Sequence, residues 1–497
     1  MSDDSDTDIS KSAHRGIAWA SLASSLVGVL DIIATILIVG LWLTKEQFGI
    51  AVLAISIFPV LDIVTDLGLA AAVIQRDDHS RSRISTVFWL NVAMSGLLFA
   101  LLALGIGPLI AHIQGKDVIA GLLTAYGAKL IWQNVYFLPY ALMKKELRFK
   151  ELSVIRIIAN VAEFVGKVGA AASGLGVWCF IVGPLCRVFV TGIGVQIRHP
   201  WRPSFVFKWS EGWDWAKFGL KTSAHKVLFR LYSVIDKQVV GFYFGKEALA
   251  VYSIAYLVVL EPAHVISEII VNVAFPTFAK LKHSTEKLFE QLVSFCKMNL
   301  VVMLLFVGII FVGAEEILAI FDMRKDADVN VSYTTGAPIV RVLCGIAVLR
   351  ALSFVIPPLL DGVGRPTLTL IYTSVAAAAL TFLFLIFAHL FGEELGAFSV
   401  ALAWLFGYPI AFGVLVWLAF SILEMPSHKL YARLAGIAGC GLLATLCAAC
   451  AKWILIDAHI GVRIAGIAVT MIVSYAALLS RFQGINIRSV RSSLSSD

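Results

Sequence analysis

A row of polar side chains, three of them cationic, recurs at helical spacing between residues 215 and 245 of this chain. At 100° per residue the row forms a stripe about 80° wide, made of Thr222, Lys226, Arg230, Ser233 and Lys237. The rest of this predicted helix is largely Phe, Leu, Val, Ile and Tyr. Charge inside a bilayer is costly, so the stripe indicates a functional cavity. The alternative is an amphipathic helix on the membrane surface, with its charges in water.

The composition places this stripe in a membrane protein. Of the 497 residues, 59% are hydrophobic and 15% are charged, and the mean hydropathy is +0.87. These values exclude a soluble globular protein and predict a polytopic membrane protein. The net charge of +7 is therefore interpreted as loop charge that sets topology, not as a nucleic-acid surface.

The cysteines predict neither disulfides nor a metal site. They are seven in number, which is odd, and all lie in apolar segments. Cys447 and Cys450 form a C-x-x-C, but their Ala- and Leu-rich surroundings offer no second ligand pair. We interpret them as small packing residues of a membrane helix.

Apolar stretches of roughly 20 residues or more follow one another along the whole chain, separated by short polar gaps. They predict an all-α fold with about 14 transmembrane helices. Lys and Arg are concentrated in the tails and the even-numbered loops, as at Lys144–Lys150. Odd-numbered loops carry few, such as Lys45 and Lys116. This asymmetry places both termini in the cytoplasm, which requires an even number of helices.

An internal echo predicts two pseudo-symmetric lobes. Gly40–Ala51 (GLWLTKEQFGIA) is similar to Gly241–Tyr252 (GFYFGKEALAVY), and both stretches end one predicted helix and begin the next. An offset of six helices preserves orientation, so the repeats would be parallel. The predicted organisation is a disordered cytoplasmic tail (1–13), an N-lobe of helices 1–6 (14–198), a cytoplasmic linker (199–212), a C-lobe of helices 7–12 (213–425), two further helices (426–481) and a cytoplasmic tail (482–497).

Several short motifs, taken in order, resemble those of a known transporter family. They are Asp66–Arg76, Val87–Asn91, Lys145–Lys150, Gly174–Trp178, Lys217–Gly219, Ile235–Lys237, Leu249–Tyr252, Phe275–Phe278 and Gly362–Pro366. Together they resemble the Wzx-type oligosaccharide flippases, in particular the colanic-acid and succinoglycan-type branch of the MOP superfamily. The resemblance covers essentially all of residues 14–480.

This resemblance implies an inner-membrane protein that moves an undecaprenyl-diphosphate-linked oligosaccharide from the cytoplasmic to the periplasmic leaflet for exopolysaccharide synthesis. It implies a transporter and not an enzyme. Its partners would be membrane lipids, the lipid-linked oligosaccharide and, further along the pathway, a polysaccharide polymerase and chain-length or export proteins. Nucleic acid is not an expected partner.

The fixed feature of such a cargo is its diphosphate, which needs compensating cations once it leaves water. We assign this role first to Lys226 and Arg230, then to Lys237 and Arg341. Arg or Lys near a helix end has an alternative role, because it often reaches out to lipid headgroups.

Acidic residues inside the predicted spans are candidates for ion coupling. Asp31 in helix 1 is the favoured candidate for binding Na⁺ or a proton, because a desolvated carboxylate binds protons more tightly. Glu163 and Lys167 are spaced i,i+4, and an intrahelical ion pair is the favoured interpretation. No P-loop motif and no cofactor are expected, so H⁺, Na⁺ or the membrane potential would drive transport.

Three other functions are alternatives. A MATE-like cation or drug antiporter would share the architecture and use acids such as Asp31, but a cationic stripe repels cations. A peptidoglycan lipid flippase would bind its diphosphate by the same logic. A membrane-embedded glycosyltransferase or polymerase would need large extramembrane loops with paired acids, whereas the gaps here are short.

Overall fold

The computed structural model of the chain describes residues 26–28, 30–66, 69, 73, 80–146, 148–322 and 332–484. Within these ranges every regular element is helical and none is a strand, which confirms the predicted all-α class. Ten of the described helical segments are long and apolar enough to cross a membrane. The predicted number of spanning helices, about 14, stays a prediction.

The chain divides into two compact units, Met1–Gly241 (the first unit) and Phe242–Asp497 (the second unit). The first unit contains α1 (Leu26–Leu41), α2 (Lys45–Ile55), α3 (Phe58–Asp66), α4 (Arg81–Leu101), α5 (Gly107–Gln114), α6 (Val118–Lys145), α7 (Phe149–Ala172) and α8 (Cys179–Arg198). A π-helical turn, Leu102–Ile106, joins α4 to α5. A long helix, α9 (Trp209–Leu281), begins in the first unit and contains the boundary.

The first part of α9 belongs to the first unit because its side chains and approach segment bond there. Trp215 is buried in a cluster with Leu69 and Val73. The Lys208 N–H donates to Thr86 Oγ1 at 3.1 Å. Farther along, Gln238 Nε2 donates to Ser56 Oγ at 2.7 Å. The compact unit therefore extends beyond the predicted linker at 199–212, and the lobe boundaries taken from the repeat stay a prediction.

The second unit contains the remaining helices. They are α10 (Thr285–Val312), the short α11 (Ala314–Ala319), α12 (Ala337–Gly362), α13 (Pro366–Leu395), α14 (Phe398–Leu423), α15 (His428–Ile454) and α16 (Ile460–Phe482). A buried polar bridge joins two of them, α10 and α12, to α9. Asn299 of α10 donates to the Ala351 carbonyl of α12 at 2.7 Å and to Ser267 of α9 at 3.2 Å.

The internal echo has a structural counterpart. In the first copy Thr44 caps α2, since its side chain accepts from the Gln47 N–H and its N–H donates to the Gln47 side chain. In the second copy the aligned residue is Gly245, where α9 is interrupted by φ 82° and ψ −176°. Both copies therefore break a helix directly before a Lys-Glu pair.

Replacing Gly245 by alanine is expected to lower stability by about 1–3 kcal/mol, because its backbone region is open essentially to glycine only. Thermal unfolding of the purified chain in detergent would measure this as a lower midpoint. Gly345→Ala is the matched control. It lies within α12, an added Cβ meets no described atom within 4 Å, and alanine favours helix by roughly 0.5–1 kcal/mol. Equal midpoints for the two variants would contradict the prediction.

Candidate functional site

The α7 helix has a polar face and an apolar face. Its polar face carries four side chains at i, i+4, i+7 and i+11, within a stripe about 60° wide, namely Arg156, Asn160, Glu163 and Lys167. Its opposite face exposes Val154, Ile158, Val161 and Val165. This division is typical of a membrane helix whose apolar face meets lipid and whose polar face lines the protein interior.

Two glycines bring the polar face of α7 close to α8. A Cβ at Gly166 would lie 2.7 Å from the Sγ of Cys186, and a Cβ at Gly183 would lie 2.9 Å from the Cβ of Lys167. Real side chains do not pack this closely, so only glycine permits the observed approach. Small residues commonly serve this purpose where membrane helices touch. The result places Arg187 of α8 beside Glu163.

A chain of ion pairs runs from α8 through α7 to α1. Arg187 Nη1 lies 3.1 Å from Glu163 Oε2. The other oxygen of Glu163 lies 3.7 Å from Lys167 Nζ, which confirms the predicted i,i+4 pair. Lys167 Nζ also donates to Asp31 Oδ1 at 2.5 Å. Two cations and two carboxylates therefore alternate along this chain.

A second charged cluster lies between α3 and α6. Lys129 Nζ donates to Asp62 Oδ1 at 3.1 Å, and the Tyr126 hydroxyl donates to Asp62 Oδ2 at 2.8 Å. Lys129 also donates to the Tyr126 hydroxyl at 3.1 Å, and Phe58 stacks on the Tyr126 ring. Lys129 is 1% exposed, so the carboxylate compensates a charge that is otherwise removed from water.

A cavity of about 450 Å³ opens beside both clusters, with a lining from α1, α3, α6, α7 and α8. Its charged lining consists of Asp62, Lys144, Arg156 and Arg187. Cations thus outnumber the single carboxylate in the lining. They still do so when the paired side chains behind the lining, Lys129 and Glu163, are included. The cavity is of the size that encloses a small-molecule ligand, and its charge favours an anion.

Neutral polar and aromatic groups also line the cavity. They include Gln133, Asn134, Tyr136, Tyr140 and Thr191. Asn134 is 3% exposed, and its Nδ2 has no hydrogen-bond partner among the described residues. A buried donor left without a partner is costly, and this one belongs to a residue of the cavity wall. Amides, hydroxyls and aromatic rings are groups that also bind sugars.

The residues predicted from the stripe on α9 are placed differently. Lys226 lies in the helical backbone of α9, and its side chain is outside the description. Arg230 and Lys237 are half-buried, and the Lys237 N–H bonds to Asp236 Oδ1 at 2.8 Å. Neither belongs to the described lining of the cavity in the first unit. Their role as diphosphate ligands stays a prediction.

Arg341, also predicted as a ligand, lies in an ionic cluster of the second unit. Its guanidinium donates to Glu315, while Lys452 Nζ lies 2.7 Å from Glu315 and 2.9 Å from Glu316. Arg463 donates to the other oxygen of Glu316. Although partial burial opposes ionisation, hydrogen bonds from Lys452 and Arg341 hold the pKa of Glu315 below its usual value. The cluster joins the ends of α11, α12, α15 and α16, and a phosphate role for Arg341 stays a prediction.

Sequence reasoning did not assign the cavity cations to a site. Neither Arg187 nor Arg156 was predicted as a site residue from the sequence. A sequence signal for Arg156 was present, because Arg156, Asn160, Glu163 and Lys167 recur with the same period as the stripe on α9. The closeness of Arg187 to this row depends on the packing of α7 against α8, which the spacing does not encode.

The comparisons with known proteins bear on identity. The family model described as "Polysaccharide biosynthesis protein" matches residues 39–324, more than half of the chain. The chain belongs to this polysaccharide biosynthesis family. This confirms the family resemblance predicted from the motifs.

Relatives of this family member include two named proteins. The teichuronic acid biosynthesis protein TuaB of Bacillus subtilis (strain 168) is 28% identical over 348 residues, which are 69% of this chain and 70% of TuaB. The lipopolysaccharide biosynthesis protein WzxC of Escherichia coli (strain K12) is 26% identical over 398 residues, which are 78% of this chain and 77% of WzxC.

Solved structures show the fold of this family member. The lipid II flippase MurJ, in an inward closed conformation, matches with a TM-score of 0.73 at 14% identity, over 93% of this chain and 98% of MurJ. An inward-facing multidrug resistance MATE family transporter of the MOP superfamily matches with a TM-score of 0.63 at 18% identity, over 81% of this chain and 95% of that chain. At this identity the likeness concerns the fold alone.

Proposed function

We propose that the chain translocates an undecaprenyl-diphosphate-linked oligosaccharide repeat unit across the inner membrane for exopolysaccharide synthesis. The observation that carries this proposal is the cationic cavity of the first unit, in a membrane protein of the polysaccharide biosynthesis family. TuaB is named for teichuronic acid biosynthesis and WzxC for lipopolysaccharide biosynthesis, and both names support a role in polysaccharide assembly.

Arg187 is the proposed first ligand of the cargo's anionic head. It lines the cavity with 39% of its side chain exposed, so part of its fork of donors faces the cavity. Lys144 and Arg156 lie in the same lining, and Asn134 contributes the buried amide donor. Lys226, Arg230, Lys237 and Arg341 are proposed as further cations that the diphosphate meets during translocation.

We propose the membrane potential as a driving force for this cargo. One charge crossing 100 mV gains about 2.3 kcal/mol, so two phosphate charges leaving a negative interior gain roughly 4–5 kcal/mol. Coupling to H⁺ or Na⁺ through Asp31 is the alternative. It must account for Lys167, whose ammonium already lies 2.5 Å from that carboxylate.

The MATE-like antiporter and the peptidoglycan lipid flippase share this fold, so the fold does not separate them from the proposal. The sign of the cavity opposes a cationic drug, because three of its four charged lining residues are cations.

A cellular experiment tests the proposal. Deletion of the gene is expected to abolish the surface polysaccharide and to trap its lipid-linked repeat unit in the cytoplasmic leaflet. Complementation by the wild-type gene should restore the surface polysaccharide and prevent the lipid-linked repeat unit from accumulating in the cytoplasmic leaflet. Unchanged polysaccharide together with altered sensitivity to cationic drugs would contradict the proposal and favour the antiporter.

A further inference from the structure

Glu163 pairs with an arginine that also lines the cavity. The side chain of Glu163 is 12% exposed and pairs with Arg187. The side chain of Arg187 is 39% exposed and belongs to the cavity lining. The second oxygen of Glu163 faces Lys167, at a distance longer than a strong ion pair. A carboxylate on this arginine resembles the phosphate oxyanion that the proposed function would bring there, since both accept from the same fork of N–H groups.

We propose that Glu163 competes with the cargo anion for Arg187. Glu163 pairs with Arg187 before cargo binds, and Arg187 leaves Glu163 for the cargo anion when cargo binds. The inference rests on the proposed function, because it concerns the same cavity and the same anionic head. It assigns to Glu163 the role of setting affinity and release. A flippase must release its cargo as well as bind it, and a competing carboxylate accelerates release.

This exchange, in which Arg187 leaves Glu163 and binds the cargo anion, leaves no buried carboxylate without a nearby cation. When Arg187 turns to the cargo, Glu163 keeps Lys167, whose Nζ lies 3.7 Å from its Oε1 and needs only a small shift to approach. Lys167 then shares its charge between Glu163 and Asp31. Asp31 tolerates a weaker pair because 55% of its side chain is exposed and it lines a small cavity together with Glu163 and Lys167.

The exchange also changes how α1 is held. The Lys167–Asp31 hydrogen bond joins α1 to α7. Cargo binding at Arg187 draws Lys167 toward Glu163 and weakens this bond. The occupied cavity is therefore expected to loosen α1 relative to α7, which links cargo binding to a movement within the first unit.

The test compares Glu163→Gln with the wild type in the purified full-length chain, using undecaprenyl diphosphate as the probe. Without the competing charge, the probe should bind roughly tenfold more tightly, since a charged hydrogen bond is worth that ratio or more. Translocation of a lipid-linked repeat unit in proteoliposomes should become slower, because release is slower. A gain in affinity cannot result from misfolding.

Glu151→Gln is the matched control, since Glu151 lies on the same helix and its carboxylate pairs with Arg148 outside the cavity. It should bind the probe as the wild type does. The double variant Glu163→Gln/Arg187→Gln should lose the gain, because the residue that Glu163 competes for is gone. Unchanged or weaker binding by Glu163→Gln would overturn the inference while leaving the proposed function intact. Failure of the wild type to bind the probe would overturn both.

Spin labels test whether cargo binding loosens α1 relative to α7. Ile33 on α1 and Val165 on α7 are 42% and 62% exposed, so labelled cysteines there leave the ion pairs intact. In a background without the native cysteines, undecaprenyl diphosphate should shift or broaden the distance distribution between the labels. The Glu163→Gln variant should show no such response. An identical response in both would contradict the link to α1.

Discussion

Replacing Arg187 by glutamine is expected to reduce translocation by roughly 10- to 100-fold, because a hydrogen bond between charged groups contributes about 1.5–3 kcal/mol. Arg187 is the cavity cation with the most enclosed surroundings, and it faces both the cavity and Glu163. Glutamine keeps the approximate length of the side chain but removes the charge and the fork of donors. Transport of a lipid-linked repeat unit into proteoliposomes measures the loss.

Two further variants show whether the loss is specific to the position and the guanidinium of Arg187. Arg198→Gln removes an arginine from the end of the same helix, where the side chain is 63% exposed and remote from the cavity lining. It should translocate as the wild type does. Arg187→Lys keeps the charge without the fork and should retain part of the activity. An active Arg187→Gln, or an equal loss in Arg198→Gln, would contradict the assignment.

Replacing Lys129 by methionine is expected to lower the free energy of unfolding by about 3 kcal/mol, the lower end of the range for a broken buried pair. The side chain of Lys129 is 1% exposed, and its removal leaves the carboxylate of Asp62 with Tyr126 as its one partner among the described residues. Asp62 is 32% exposed to the cavity, so water offsets part of the cost. A lower midpoint of thermal unfolding in detergent would show the effect.

The same substitution at Lys116 provides the comparison. Lys116 pairs with Glu46 at 2.9 Å, but both side chains are about half exposed, so its loss should change stability by less than about 1 kcal/mol. The double variant Lys129→Met/Asp62→Asn should recover much of the loss, because no buried charge is then left alone. A double variant as unstable as Lys129→Met, or equal midpoints for Lys116→Met and Lys129→Met, would contradict the prediction.

Local spacing in the sequence predicted what depends on local geometry. The Glu163–Lys167 pair follows from i,i+4 spacing on a helix, and the structure confirms it. The helix break near residue 245 follows from the repeat of Gly40–Ala51. Apolar runs gave the all-α membrane class, because a bilayer requires helices of a certain length.

Long-range partners were not predictable in the same way. Lys129 and Asp62 are 67 residues apart, and their pairing depends on how α3 and α6 pack. The contact of Arg187 with Glu163 depends on two glycines that let α7 and α8 approach closely. Arg341 was predicted as a diphosphate ligand, whereas its guanidinium donates to Glu315 on a short helix that follows a different span.

The most direct measurement is photo-crosslinking in living cells from the wall of the cavity. A photoreactive amino acid at Thr191, in the cavity lining, is expected to capture the lipid-linked repeat unit. The same group at Ile158, on the apolar face of α7 and 56% exposed, should capture phospholipid without the repeat unit. The account predicts that Arg187→Gln abolishes the crosslink at Thr191. Normal polysaccharide synthesis with no crosslink at Thr191 would show that the cargo crosses elsewhere, and would contradict the account.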